Sequence, residues 1–293
     1  MSRPEDDSEA GEATTEEAQA ERGDGTVAAE ARAERGDGNE QGNRSTGQGT
    51  AVSVRGLDHR FGDVEVFRDL SLSIAAGDVA CLIGPNGSGK TTLLRIVAGL
   101  LPPTAGEVDL ADHLEEDRRR VGYLPQQPAF RPTFTVRETL SFYAALVPGE
   151  TDVEARLDQV GLRAVADRRV EALSGGMVRL LGIAQTVVGE PPLLVLDEPA
   201  SGLDPTMGRH VTGAIDEIGA SGDTVLLATH NLTAVERIAD VVLVLDRGSI
   251  VATGPPADLL ADTDTDTLAD AFAALTASEA PSVYAGRTGG GEE

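Results

Sequence analysis

The sequence predicts an α/β fold organised around a largely parallel sheet. Short continuous apolar runs recur along the chain, as is typical of strands covered on both faces. Helical patterns at residues 91–100, 177–188 and 210–218 separate these runs, and strands that alternate with helices indicate a parallel sheet. The apolar runs occupy residues 78–83, 193–196, 224–228 and 241–245.

Two further regions have a different character. Residues 52–54, 64–66 and 70–74 alternate apolar and polar side chains, which predicts half-buried strands. Residues 135–172 show helical patterns without a continuous apolar run. We therefore expect a small helical insertion, placed at about residues 128–176.

The chain is expected to have three parts. Residues 1–49 form an acidic, low-complexity arm, which we expect to be disordered because it cannot bury enough apolar surface to offset its ordering entropy. Residues 50–262 form the folded domain. Residues 263–293 contain a short amphipathic helix, at about residues 268–275, and a flexible tail.

The composition limits location and partners. No run of about 18 apolar residues is present, and the acidic N-terminal sequence does not resemble a signal peptide, so we expect a cytoplasmic protein. The single cysteine, Cys81, fits a reducing compartment. A net charge of −25 argues against nucleic acid as a partner, because phosphate neutralisation requires clustered Lys and Arg.

Arginine has almost completely replaced lysine, since 23 of the 24 basic residues are Arg and Lys90 is the sole lysine. One explanation is a GC-rich genome with an arbitrary preference for Arg. The explanation we favour is halophilic adaptation, because at molar salt the Debye length is only about 3 Å and the self-repulsion of an acidic surface is screened.

A glycine-rich loop follows the first continuous apolar run. Gly84-Pro-Asn-Gly-Ser-Gly-Lys-Thr91 matches the phosphate-loop pattern G-x-x-x-x-G-K-[ST] and precedes a predicted helix. Such a loop turns backbone N–H groups toward a phosphate. Lys90 adds a positive charge for the β- and γ-phosphates, and the Thr91 hydroxyl is suited to Mg²⁺. The alternative is an ordinary glycine turn before a helix.

Two acidic residues end the apolar run at residues 193–196. Asp197 would lie at the carboxyl edge of its strand, beside the phosphate loop, and would hold Mg²⁺. Glu198 would then polarise the attacking water as the general base. Without the phosphate loop, an acidic residue here could equally be a cap for the next helix.

A second anion site is predicted at Leu173-Ser174-Gly175-Gly176, where a serine and two glycines precede a helix. With two such helix starts in one chain, residues 51–255 resemble an ATP-binding cassette (ABC) ATPase. The resemblance implies a P-loop NTPase core with an antiparallel β-subdomain and a helical insertion. It also implies that the Ser174–Gly176 signature closes over nucleotide bound by the other subunit of a head-to-tail dimer.

The resemblance implies roles for four more residues. Phe61 resembles the aromatic residue that stacks on adenine, although an aromatic residue there could also belong to the core. Gln126 resembles the glutamine that reaches Mg²⁺ and the attacking water. Asp204, in Ser201-Gly-Leu-Asp204, resembles the loop that communicates across the dimer. His230, which alone would be structural, resembles the switch histidine at the γ-phosphate.

These assignments define the expected site. The catalytic residues would be Glu198, His230 and Gln126, and the metal ligands Thr91, Gln126 and Asp197. The nucleotide-binding residues would be Phe61, Gly84, Pro85, Asn86, Gly87, Ser88, Gly89, Lys90, Thr91 and Thr92.

The family resemblance implies ATP and Mg²⁺ as cofactors and an integral-membrane permease as partner, on the inner face of the membrane. The ATPases would form a homodimer or pair with another ABC ATPase, and would not touch the transported substrate. Met177, where many members have Gln, and the short C-terminal helix resemble the ABC-2 exporter and copper-enzyme-maturation branch, which favours export. The alternative is a soluble ABC ATPase in an assembly or repair complex.

Overall fold

The computed structural model describes residues 49–110 and 120–277. The predicted disordered arm and flexible tail therefore lie almost entirely outside the described residues. The strands are β1 (Thr50–Phe61), β2 (Val64–Ala75), β3 (Val79–Ile83), β4 (Ala105–Leu110), β5 (Val121–Leu124), β6 (Leu193–Asp197), β7 (Thr224–Ala228), β8 (Val241–Asp246) and β9 (Ser249–Gly254).

Eight α-helices accompany these strands in the described part of the chain. They are α1 (Lys90–Val97), α2 (Val136–Ala144), α3 (Val153–Gln159), α4 (Gly175–Thr186), α5 (Pro205–Ala220), α6 (Leu232–Ile238), α7 (Pro256–Thr263) and α8 (Leu268–Thr276).

The strands form two sheets. A six-stranded sheet has the order β5-β6-β7-β3-β8-β9, and all its neighbours are parallel except β8 and β9. A three-stranded antiparallel sheet has the order β2-β1-β4. The predicted α/β fold with a largely parallel sheet and an antiparallel subdomain is therefore confirmed.

The four inner strands of the six-stranded sheet, β6, β7, β3 and β8, are buried on both faces, which explains their continuous apolar runs. Cys81 and Ile83 of β3 pack in one hydrophobic cluster with residues of α4 and α5. Their neighbours Ala80 and Leu82 pack in a second cluster with residues of α1 and the three-stranded sheet. Because successive side chains on a strand point to opposite faces, both sets must be apolar.

Three strands without a continuous apolar run, β4, β5 and β9, were not predicted. β4 and β5 lie at the edges of their sheets and β9 at the edge beyond β8, where partial exposure admits polar residues. The segments 64–66 and 70–74 form the single strand β2, which continues through Asp69 in the left-handed region (φ 51°).

Residues 128–174 contain helices α2 and α3, two short 3-10 turns and an isolated bridge between Thr135 and Arg169, without a strand. Helix α2 begins with a capping box, in which Thr135 and Glu138 each accept a backbone N–H from the other. Such reciprocal capping satisfies two donors at the helix start. The described residues include no helix that is long and apolar enough to cross a membrane.

Candidate nucleotide site

The carboxyl edge of the parallel sheet brings three chain segments together. Strand β7 lies between β6 and β3, so the loop after Ile83, the acid pair at Asp197 and the segment after Ala228 leave the sheet side by side. The carboxyl edge is where open α/β sheets bind ligands. Thr91 and Asp197 are 106 positions apart in sequence and Glu198 and His230 are 32 apart, and both pairs become neighbours through strand order.

The glycines of the phosphate loop are required by close contacts. Gly89 has φ 107°, and a Cβ there would lie 2.6 Å from the Phe67 ring. A Cβ on Gly84 would lie 2.2 Å from the carbonyl oxygen of Leu245. The loop backbone is thus held against β2 and β8, with helix α1 beginning at Lys90.

Lys90 is largely buried, with 9% of its surface exposed. Its Nζ donates hydrogen bonds to the carbonyl oxygens of Gly84 (2.7 Å) and Pro85 (3.0 Å). Burial lowers the pKa of the Lys90 ammonium, and the negative charges of Glu198 and Asp197 oppose this effect. The ammonium is therefore bonded to the loop that the sequence predicts to bind the phosphates.

Thr91 and Asp197 form the predicted metal pair. The Thr91 hydroxyl donates to Oδ1 of Asp197 over 3.1 Å, and Asp197 is 1% exposed at the end of β6. Burial raises the pKa of Asp197, whereas the Thr91 hydrogen bond and the charges of Arg95 and Lys90 lower it.

These oxygen donors fit Mg²⁺, which proteins hold with one or two carboxylates together with substrate phosphates. The described ranges contain no group of three or more His, Cys, Asp or Glu side chains that could hold a metal by themselves. Gln126 is exposed after β5 and, within the described part of the chain, forms no hydrogen bond with Thr91 or Asp197. Its assignment to the metal therefore stays a prediction.

Glu198 and His230 form a direct pair. Oε2 of Glu198 lies 2.7 Å from Nδ1 of His230, and the two side chains are 13% and 64% exposed. Glu198 adopts φ 50°, a left-handed conformation that costs free energy for a residue with a Cβ. Its N–H still donates to the carbonyl oxygen of Ala228 (3.0 Å). The strained backbone thus keeps β6 paired with β7 while Glu198 contacts His230.

The signature residues lie at the start of α4. The Ser174 hydroxyl accepts the N–H of Met177 over 3.3 Å and caps this helix. A Cβ on Gly176 would lie 2.0 Å from Cγ of Met207, so α4 and α5 approach closely at this point. In the described residues, the hydroxyl of Ser174 forms no hydrogen bond with the phosphate loop of its own chain.

Asp204 caps α5 by accepting the N–H groups of Thr206 (3.0 Å) and Met207 (3.1 Å). The loop at Asp204 and the segment at His230 border a cavity of about 590 Å³. The role of Asp204 in communication between subunits stays a prediction.

Phe61, at the end of β1, is 53% exposed. Its ring is packed edge-to-face against His59, with centroids 4.7 Å apart and planes at 82°. A half-exposed ring has a surface free for a ligand, so this placement is compatible with a base-stacking role.

Two arginines that act on Asp197 were not predicted. Arg95 lies one turn beyond Thr91 on α1, a spacing that could have placed it on the same helix face. Arg179 lies on α4, and its buried Nη1 has no hydrogen-bond partner among the described residues. Burial lowers the pKa of Arg179, and the charge of Asp197 opposes this. The sequence offers no comparable signal for Arg179, because its approach to Asp197 depends on helix packing.

The fold and site define a P-loop NTPase. The model of the ABC transporter family matches residues 67–201. The chain is 38% identical to the Nod factor export ATP-binding protein I of Ralstonia nicotianae, over 71% of this chain and 68% of that protein. It is 37% identical to the protein of the same name from Bradyrhizobium diazoefficiens, over 72% of each.

Solved structures show the same relationship. An ATP-binding subunit of an ABC transporter matches with a TM-score of 0.67 and 28% identity, over 77% of this chain and 99% of the other. A nucleotide-free ATP-binding cassette from an ABC transporter matches with a TM-score of 0.62 and 27% identity, over 71% and 92%. The chain belongs to the ABC transporter family, as an ATP-binding, ATP-hydrolysing subunit.

Proposed function

We propose that this chain hydrolyses ATP to power export through a separate transmembrane permease. The observation that carries this proposal is the Glu198–His230 pair, 2.7 Å apart, beside the Thr91–Asp197 pair at the end of the phosphate loop. The Glu198 carboxylate, with its histidine partner, is available for proton transfer. The Asp197 carboxylate and the neighbouring Thr91 hydroxyl are suited to binding a metal.

Each residue of the site has a chemical role in this proposal. Thr91 and Asp197 would hold Mg²⁺, with Gln126 completing the shell, and the ion when bound supplies neutralisation of charge on the phosphate oxygens. Glu198 accepts a proton from the attacking water. His230 contacts the γ-phosphate through the ring nitrogen that does not face Glu198.

Nucleotide binding is shared between two subunits. The phosphate loop and Lys90 of one subunit hold the phosphates, Phe61 stacks on adenine, and Ser174 and Gly176 of the partner subunit cover the γ-phosphate. Both a base and a signature are present in this sequence, so a homodimer is competent, although pairing with another ABC ATPase would satisfy the same geometry. Closure around ATP moves the attached permease, and hydrolysis reopens the dimer.

The direction of transport is proposed from two features. The relatives at 38% and 37% identity have Nod factor export in their names. In addition, Met177 in the signature and the short helix α8 resemble the exporter branch. The substrate binds in the permease and does not contact this chain.

The helical insertion offers an apolar surface suited to a permease. Phe142 is 40% exposed and Leu146 is 65% exposed, and Phe134 lies beside Phe142 with ring centroids 6.3 Å apart. The Arg131 guanidinium lies 5.1 and 5.5 Å from the centroids of these two rings. We propose that the permease covers this insertion surface (Phe134, Phe142 and Leu146) at the inner face of the membrane.

Introducing charge into the insertion surface tests the permease partnership. The double substitution Phe142→Asp and Leu146→Asp is expected to shift the chain from the membrane pellet to the supernatant when native cells are fractionated, because the interface would have to bury two unpaired carboxylates. ATP hydrolysis by the purified variant should persist. Val251→Asp, at an apolar residue of β9 that is 44% exposed, is the matched control. Unchanged membrane association of the double variant would contradict the assigned surface.

Adaptation to high salt is also part of the proposal. With a net charge of −25, the melting temperature is expected to rise as KCl increases from about 0.1 M to about 2 M, because counterions screen the repulsion between carboxylates. Thermal unfolding and ATPase activity measured across this KCl series provide the test. Full stability and activity at about 0.1 M KCl would exclude halophilic adaptation and leave genome composition as the reason for the Arg preference.

A further inference from the structure

His59 is a buried histidine in the three-stranded sheet. It lies on β1 with 4% of its surface exposed, and neither ring nitrogen meets a hydrogen-bond partner among the described residues. A buried polar group without a partner destabilises a fold. An aliphatic residue would avoid this cost, so the site calls for a specific reason to have an imidazole ring.

The one aromatic partner found for His59 in the described residues is Phe61. The two rings are packed edge-to-face, with centroids 4.7 Å apart and planes at 82°. Edge-to-face packing is the arrangement that aromatic quadrupoles favour. Because Phe61 is 53% exposed, few other contacts can restrict its ring, and the contact with His59 lies on the side that faces the protein.

The neighbouring strand connects this ring pair to the phosphate loop. His59 lies opposite Phe67 of β2, but Arg60 lies opposite Glu65, so the register shifts at this position and Val66 has no partner on β1. Both Phe67 and Val66 contact Gly89, because a Cβ there would lie 2.6 Å from the Phe67 ring and 3.1 Å from Cγ1 of Val66. Bulges of this kind re-aim side chains next to binding sites.

We propose that His59 is a positioning residue that holds the Phe61 ring ready to stack on the base of a nucleoside triphosphate. Restricting a side chain before binding improves affinity by reducing the entropy lost on binding. His59 itself is too deeply buried to touch the nucleotide. This inference rests on the proposed function, because it assumes that Phe61 stacks on the base.

Two substitutions at one position separate the ring from its nitrogens. His59→Leu and His59→Phe both remove the buried nitrogens, but only Phe retains an aromatic edge for Phe61. We expect His59→Leu to raise the Kd and KM for ATP by about 3- to 10-fold, the effect of losing one edge-to-face contact, with kcat retained. His59→Phe is expected to restore affinity to within about 2-fold of the wild-type chain.

A ligand without a nucleobase shows whether the substitution at His59 changes affinity through Phe61. Calorimetric titration of the full chain with ATP and with inorganic tripolyphosphate, both with Mg²⁺, should show weaker ATP binding by His59→Leu and unchanged tripolyphosphate binding. Equal weakening for both ligands would show a general distortion of the loop and overturn the inference. Equal ATP affinities of the Leu and Phe variants, whether normal or reduced, would overturn it as well.

Phe61→Ala distinguishes failure of this inference from failure of the base-stacking assignment. If Phe61→Ala weakens ATP binding while His59→Leu does not, stacking stands and the role of His59 is excluded. If Phe61→Ala leaves ATP binding unchanged, Phe61 is not the base platform and the inference fails with that assignment. Thermal unfolding of the variants checks that each is folded.

Discussion

Replacing Glu198 by Gln is expected to lower ATP turnover by about 10²–10⁴-fold, the contribution of a general base, while ATP affinity stays near that of the wild-type chain. The carboxylate lies 2.7 Å from His230, and the strained backbone of Glu198 (φ 50°) is held by its hydrogen bond to the carbonyl oxygen of Ala228. The amide has nearly the same shape but cannot accept the proton. Steady-state ATPase rates and calorimetric ATP binding measure the two effects separately.

Glu190→Gln is the matched control for this variant. Glu190 also has φ 50°, but its exposed side chain pairs with Arg156 at 2.8 Å and it precedes β6, whereas the site lies at the carboxyl end of that strand. The same change of carboxylate to amide should therefore leave turnover within about 2-fold of normal, since exposed ion pairs contribute little. Wild-type turnover by Glu198→Gln would remove Glu198 as the base.

Lys90→Arg is expected to reduce kcat/KM for ATP by about 10- to 100-fold, equivalent to about 1.4–2.8 kcal/mol of transition-state stabilisation. The substitution conserves the positive charge, but it changes the size and shape of the charged group. Lys90 is 9% exposed, and its ammonium donates to the carbonyl oxygens of both Gly84 and Pro85. A planar guanidinium is wider, and its fork would have to displace this loop.

A substitution at an exposed residue is the matched control for Lys90→Arg. Arg68→Lys makes the reverse change at a side chain that is 77% exposed and pairs with Glu65, where shape imposes no constraint, so we expect normal kinetics. Measuring kcat/KM and the melting temperature of both variants distinguishes a local defect from loss of the fold. Normal turnover by Lys90→Arg would show that the sole lysine is not required for its shape.

The sequence by itself was sufficient for the elements with strong local signals. The buried strands β3, β6, β7 and β8 were recognisable because both faces of the sheet are covered, which demands apolar residues at successive positions. The phosphate loop was recognisable because Gly84 and Gly89 meet backbone and ring atoms that allow no Cβ. The edge strands β4, β5 and β9 carry no such demand, and they were missed.

Only the tertiary structure decided which residues act on one another. Strand order brings Glu198 to His230 and Thr91 to Asp197, and helix packing places Arg179 near Asp197, across distances in sequence that no local pattern encodes. Likewise, no pattern in the sequence singled out His59, which lies beyond the strand predicted at residues 52–54. Its burial against Phe61 becomes visible only when β1 is paired with β2, because burial and ring contact depend on neighbours that the fold supplies.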